Sequence, residues 1–202
     1  MKLYVTQTSP YARLARIVVL EKRLEDRIEI LEARTRTANS PYYLINPSGR
    51  VPYLVDAGGV GMEDSQLICT YLDGLDGTPC FHRSDLPYRR FEAMARSMCD
   101  GISVWVREMR RPPNERSPTI LSHEVARSQR MADYFEAQGS NPIVQGPALM
   151  AHFVIAVAVD IARSDGLGDL TQARPQLTEL MQRLSSRPAM QATAFPQAPV
   201  SA

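Results

Sequence analysis

The hydrophobic pattern divides this chain in two. Short apolar runs and helical stretches mix up to about residue 73, and only helical periods follow. Leu3 to Val5 predicts a strand. Ser9 can cap a helix with Pro10 at its first position, where a missing N–H costs nothing. That helix runs to about Lys22, with Leu14, Ile17, Val18 and Val19 on one broad face. Ile28 to Leu31 reads as a second strand. Residues 32 to 46 are polar and irregular, with a short helical turn near Tyr42. Asn46-Pro47-Ser48-Gly49 is a turn signal. Val51 to Val55 follows as a strand whose early Pro52 suits a strand start or a sheet edge. Gly58-Gly59 turns the chain into a return strand over 60–62. Asp64 or Ser65 then caps a helix carrying Leu67, Ile68, Tyr71 and Leu72.

Gly74 to Arg83 is rich in glycine, proline and polar residues and reads as a linker. Beyond it, helices are expected over about 85–110, 118–138, 148–164 and 174–185. Ser117-Pro118 repeats the cap-then-proline start. The Pro/Ala-rich tail from Phe195 is expected to be loosely held. The fold class is therefore an α/β N-terminal part joined to an all-helical C-terminal part.

Composition narrows the function classes. The chain has 202 residues, 44% of them hydrophobic and 22% charged, which is enough to build a core. A formal net charge of +1 gives no electrostatic footprint for nucleic acid or an anionic membrane. No apolar stretch is long enough to span a bilayer, and the N-terminus is too short and polar for a signal peptide. Cys69, Cys80 and Cys99 show no CxxC spacing, so no disulfide framework or zinc site is implied and a reducing cytoplasm fits. His82 and His123 lack Cys or acidic partners at metal-ligand spacing. No metal is expected.

Four short stretches carry a family resemblance. They are Ser9-Pro10-Tyr11-Ala12-Arg13; Asn46-Pro47-Ser48-Gly49-Arg50-Val51-Pro52-Tyr53-Leu54; Asp64-Ser65-Gln66-Leu67-Ile68-Cys69-Thr70-Tyr71-Leu72; and Arg187-Pro188-Ala189. In this order and spacing the chain resembles the cytosolic glutathione transferases, and among them the bacterial, serine-using kind. The resemblance implies a thioredoxin-like glutathione-binding domain over 1–76 and a helical domain over 84–202. It also implies a homodimer, with glutathione as co-substrate and an apolar electrophile between the domains. Where a thioredoxin-like redox protein carries two cysteines, this chain has Ser9 and Ala12. The sulfur must then arrive with the ligand.

A free thiol ionises near pH 8.5, and moving that to near neutral needs roughly 2.7 kcal/mol of preference for the thiolate. One hydrogen bond to a charged acceptor supplies about 1.5–3 kcal/mol. A helix N-terminus adds roughly 0.3–1 kcal/mol. Ser9 can offer both, with Thr8 and Thr6 as substitutes; its plain alternative is an N-cap. By the resemblance, Val51-Pro52 is a cis-proline site that turns the Val51 backbone toward the ligand. Asp64, or Glu63 one position earlier, takes the γ-glutamyl ammonium. The Ser65 hydroxyl and N–H take the γ-glutamyl carboxylate. Arg50 reaches the glycyl carboxylate or is simply a surface residue. Arg36 and Asn39 are weaker candidates.

For the electrophile, Tyr11, Trp105, Arg107 and Met109 are the candidates, with core packing the plainer role for Trp105 and Met109. One departure stands out. Relatives start the central helix of the second domain with a Ser/Thr–Asp capping box, but this chain has Leu149-Met150-Ala151-His152. Neither end offers the usual reciprocal bonds, although His152 Nδ1 can reach a backbone group. The competing readings are a non-catalytic binding or regulatory protein, and a glutathione-dependent isomerase, dehalogenase or peroxidase.

Overall fold

The computed structural model describes residues 1–196. The part of the proline-rich tail beyond residue 196 lies outside the described residues. In chain order the elements are β1 (Lys2–Val5), α1 (Pro10–Glu21), β2 (Glu29–Glu32), a 3-10 turn (Pro41–Leu44), β3 (Tyr53–Val55), β4 (Gly61–Met62), α2 (Ser65–Gly74), α3 (Leu86–Met109), a second 3-10 turn (Pro113–Glu115), α4 (Pro118–Ala137), α5 (Pro142–Gln145), α6 (Met150–Ser164), α7 (Pro175–Ser185) and α8 (Pro188–Ala192). Contacts divide the chain into two compact units. One is Met1–His82 with Pro188–Ala194; the other is Arg83–Arg187 with Phe195 and Pro196.

The first unit is built on a four-stranded sheet in the order β2-β1-β3-β4. β2 runs parallel to β1, with Leu3 beside Ile30. β3 is antiparallel to β1 and β4 antiparallel to β3, with Tyr4 beside Tyr53 and Leu54 beside Met62. Leu3, Val5 and Leu54 point into the core with Ala12, Ile17 and Val18 of α1 and Ile68 and Leu72 of α2. Two strands are shorter than the pattern predicts. β3 starts at Tyr53 because Pro52 has no N–H to give a ladder. Val60 belongs to the turn, since its N–H and that of Gly58 both bond to Asp56 Oδ1, at 2.9 and 2.8 Å. The Tyr53 hydroxyl lies over Gly61, 1.9 Å from where a Cβ would stand, so a side chain there would displace the end of that ring.

The segment read as a linker is pinned down. The buried Asp73 carboxylate accepts the backbone N–H groups of Cys80, Phe81 and His82, each at 3.0 Å. It also meets His82 Nδ1 at 3.0 Å and Lys22 Nζ at 3.6 Å. Lys22 further bonds the Thr78 carbonyl at 2.8 Å and Asp76 at 2.8 Å. Burial alone would raise the Asp73 pKa. The bonds from His82 and from the three backbone N–H groups outweigh it and hold the carboxyl well below the usual carboxylate range. Arg13, 2% exposed, ties α1 to α8 through the Met190 carbonyl and the Thr193 hydroxyl, at 3.2 and 3.4 Å. The pattern gives no sign of α8, which follows the last helix of the second unit in sequence yet belongs to the first unit.

In the second unit α3, α4 and α7 carry apolar faces, and α6 is apolar nearly all round. Met150 to Val159 are buried without interruption, as expected of a helix enclosed by others. Asp85 and Ser117 cap α3 and α4, accepting from Tyr88 and Ile120 at 3.1 and 3.3 Å. α5 starts on another cap-then-proline pair, Asn141-Pro142, with Asn141 Oδ1 accepting from Ile143 at 2.9 Å.

The capping of α6 takes the route the sequence left open to His152. His152 Nδ1 accepts the Leu149 N–H at 2.8 Å, and the Tyr88 hydroxyl oxygen accepts the Ala151 N–H at 3.3 Å. One arm of the missing box is thus kept by an imidazole, and a tyrosine from α3 serves a second amide. The arrangement requires a neutral ring with its proton on Nε2. Burial, with the nearby Arg183, lowers the His152 pKa to about 4. The sign follows. Between pH 6.5 and about 4 the unfolded chain takes up a proton that the folded chain refuses, so stability falls as pH drops through that window. His152→Ala is expected to lower stability by about 1–2 kcal/mol at pH 7 in urea unfolding. It should also flatten the stability-against-pH curve between pH 6.5 and 4. An unchanged curve would remove His152 as its source.

Candidate functional site

Strand directions bring the predicted site residues together. β1 ends at Val5 where β3 begins at Tyr53, since the two are antiparallel and Tyr4 pairs with Tyr53. β4 is antiparallel to β3, so it leaves the sheet at that same end. The loop carrying Thr6, Thr8 and Ser9, the approach over Arg50-Val51-Pro52, and the exit over Glu63-Asp64-Ser65 therefore share one end of the sheet.

Ser9 is the N-cap of α1, with extended backbone (φ −86°, ψ 121°) and its Oγ accepting the Ala12 N–H at 3.2 Å. The hydroxyl proton takes no part in that bond. The cap and a donor role are compatible. Thr8 is exposed and Thr6 half-buried.

The Val51–Pro52 peptide bond is cis, and so is Glu63–Asp64. Among the described residues nothing takes the Val51 N–H or carbonyl. Asp64 caps α2 through Oδ1, which accepts from Gln66 and Leu67, both at 3.1 Å. Its carboxylate is exposed, and Oδ2 makes no hydrogen bond among the described residues. Ser65 is the first residue of α2, and its N–H belongs to the amides a helix leaves unpaired.

Glu63 is placed differently from its neighbour. Its Oε2 accepts from Asn46 Nδ2 at 2.7 Å and from the Ser48 hydroxyl at 2.5 Å. Asn46, 3% exposed, also bonds the Arg50 carbonyl at 3.0 Å and accepts the Ser48 N–H on Oδ1 at 3.1 Å. The Tyr42 hydroxyl donates to the same Arg50 carbonyl at 2.5 Å. Burial first, with Glu63 among the further contributors, pushes the Tyr42 pKa up to about 12, so this hydroxyl keeps its proton. Gly49, at φ +66°, closes the turn, and the Tyr43 ring leaves no room for a Cβ there. The turn signal was legible in the sequence. The side-chain frame running from it to Glu63 was not, because its members are 15 and 17 residues apart.

The remaining candidates are dispersed. The Arg50 side chain is exposed and forms no ion pair among the described residues. Arg36 and Asn39 both hold positive φ, at 56° and 57°. Tyr11 is half-buried at the start of α1. Trp105, 7% exposed, and the exposed Arg107 are on α3 in the other unit. Two residues apart on a helix, they point in different directions.

Residues 8–75 match the family described as glutathione S-transferase, N-terminal domain. A glutathione S-transferase from Methylobacillus flagellatus KT, solved with GSH bound, superposes with a TM-score of 0.86 at 24% identity, over 96% of this chain and 99% of that one. The fold is that of a glutathione transferase. A glutathione transferase family member from Pseudomonas fluorescens Pf-5, solved with bound glutathione, gives 0.82 at 24% identity, over 96% and 98%. In sequence the chain is 29% identical to YibF, an uncharacterized GST-like protein of Escherichia coli (strain K12), over 98% of this chain and all of that one. These likenesses are of fold, with the family match confined to residues 8–75. By fold the first unit matches the thioredoxin-like N-terminal domain of a glutathione transferase, and α3 to α7 match its helical C-terminal domain.

Proposed function

We propose that this protein is a serine-using glutathione transferase that conjugates the glutathione thiolate to small apolar electrophiles. The observation that carries the reading is the shared end of the sheet, to which Ser9, Val51-Pro52 and Asp64-Ser65 all belong, on a fold that two similar structures display with glutathione bound. On this reading the cysteinyl backbone pairs with the free Val51 N–H and carbonyl as an added strand would. Ser9 Oγ, already accepting from Ala12, donates its proton's hydrogen bond to the thiolate. Asp64 Oδ2 takes the γ-glutamyl ammonium, and the Ser65 hydroxyl and N–H take the adjoining carboxylate at the start of α2. Arg50 reaches the glycyl carboxylate. Tyr11, at the start of α1, is the residue proposed for the electrophile in this unit.

The domains are proposed as 1–76 and 84–202, in a cytoplasmic homodimer. The chemistry drawn here uses no metal. Purified protein tested with glutathione and a panel of aryl halides, epoxides and enals is expected to give conjugates; organic peroxides, run alongside, report reduction to the alcohol with glutathione disulfide. Calorimetry on the same sample should show glutathione binding. Binding without turnover on any electrophile would favour the regulatory reading. Peroxide reduction alone would favour the peroxidase.

A further inference from the structure

We propose that Glu63 is a positioning residue, not an ammonium ligand: through Asn46 and Ser48 it fastens the Arg50-Val51 approach to the Asp64-Ser65 exit. This rests on the reading of the site as one for glutathione. Such a peptide is gripped in the middle by Val51 and at its γ-glutamyl end by Asp64 and Ser65. These two grips come from different segments, and no β-ladder joins residues 50–52 to 63–65. Glu63 Oε2 supplies the missing join, accepting from Asn46 and Ser48. Asn46 then passes the constraint to the Arg50 carbonyl, which Tyr42 holds from the other side.

The geometry separates the two adjacent carboxylates. Asp64 spends one oxygen on its helix cap and shows the other to solvent. Glu63 spends Oε2 on two side-chain donors from the 46–50 turn, one of them on the buried Asn46. Two charged-acceptor bonds converging on one oxygen anchor it more firmly than a lone surface carboxylate. The frame therefore sets the spacing between the ligand's two grips, and misplacing either weakens binding without touching the sulfur.

The test uses calorimetry and steady-state kinetics with glutathione and with its deaminated counterpart, glutaryl-cysteinyl-glycine, which lacks only the ammonium. Glu63→Ala is expected to weaken both peptides about equally, roughly tenfold, raising KM and leaving kcat little changed. Glu63→Gln should recover most of this, because its amide oxygen can still accept from Asn46 or Ser48. Ser48→Ala, at an exposed position, should weaken binding less in the Glu63→Ala background than alone. Asp64→Asn serves as the contrast: it should weaken glutathione and spare the deaminated peptide. A Glu63→Ala penalty that vanishes with the deaminated peptide would make Glu63 the ammonium ligand and overturn the proposal. So would a Glu63→Ala protein that binds both peptides like the wild type. A wild type that binds neither peptide instead overturns the functional reading beneath it.

Discussion

Ser9→Ala is expected to cut glutathione conjugation at pH 6.5–7 by about 10- to 100-fold while glutathione affinity changes little. The magnitude follows from the loss of one hydrogen bond to a charged acceptor, worth about 1.5–3 kcal/mol. That loss raises the pH at which the bound thiol ionises by roughly one to two pH units. The deficit should therefore shrink toward pH 9, where the thiol ionises without help. A merely structural loss would not have that pH signature. Because Ser9 also caps α1 through the Ala12 N–H, the same change costs about 1 kcal/mol of stability, which urea unfolding would report separately. Thr8→Ala and Thr6→Ala should leave the thiolate titration where it is. If the ultraviolet thiolate titration of bound glutathione is the same in Ser9→Ala and wild type, Ser9 is a cap and nothing more.

How much of this was legible depends on the range of the interaction. Caps are local, so the pairs Ser9-Pro10, Asp64-Ser65 and Ser117-Pro118 announced their helices at the right positions. The same signal stood at Ser40-Pro41, where a helical turn near Tyr42 was expected and is found, and at Asn141-Pro142, whose helix is only four residues long and too short to show a period. The shared end of the sheet follows from strand order and direction, which no single strand encodes. Glu63 and Asp64 look equivalent as letters. Only the bonds from Asn46 and Ser48 tell them apart. His152 was recognised as a departure from the capping box, while its replacement bond required knowing that the Leu149 amide faces the imidazole. The stretch 74–83 shows the opposite failure. Its glycine and proline content reads as a flexible connector, yet a carboxylate seven to nine residues upstream organises its last residues.

That carboxylate carries the largest stability effect expected in the first unit. Asp73 is fully buried and answers three backbone N–H groups, His82 Nδ1 and Lys22. Asp73→Ala strands the three backbone N–H groups and His82 Nδ1, while Lys22 keeps Asp76 and the Thr78 carbonyl; leaving several buried donors unpaired costs about 3–5 kcal/mol. Asp73→Asn keeps the shape but has one acceptor oxygen where the carboxylate has two, so a smaller loss of about 2 kcal/mol is expected. The pH dependence has a definite sign. A carboxyl held below its unfolded value contributes its full stability above about pH 4 and loses it as pH falls further, because the unfolded chain then binds the extra proton. Wild type should therefore lose stability on acidification below pH 4 more steeply than Asp73→Asn. This limb lies below the His152 window, so urea unfolding from pH 7 to 3 separates the two groups. Equal acid limbs in wild type and Asp73→Asn would mean that Asp73 is not held ionised by its partners, and the clamp over Cys80–His82 would then owe its order to something else.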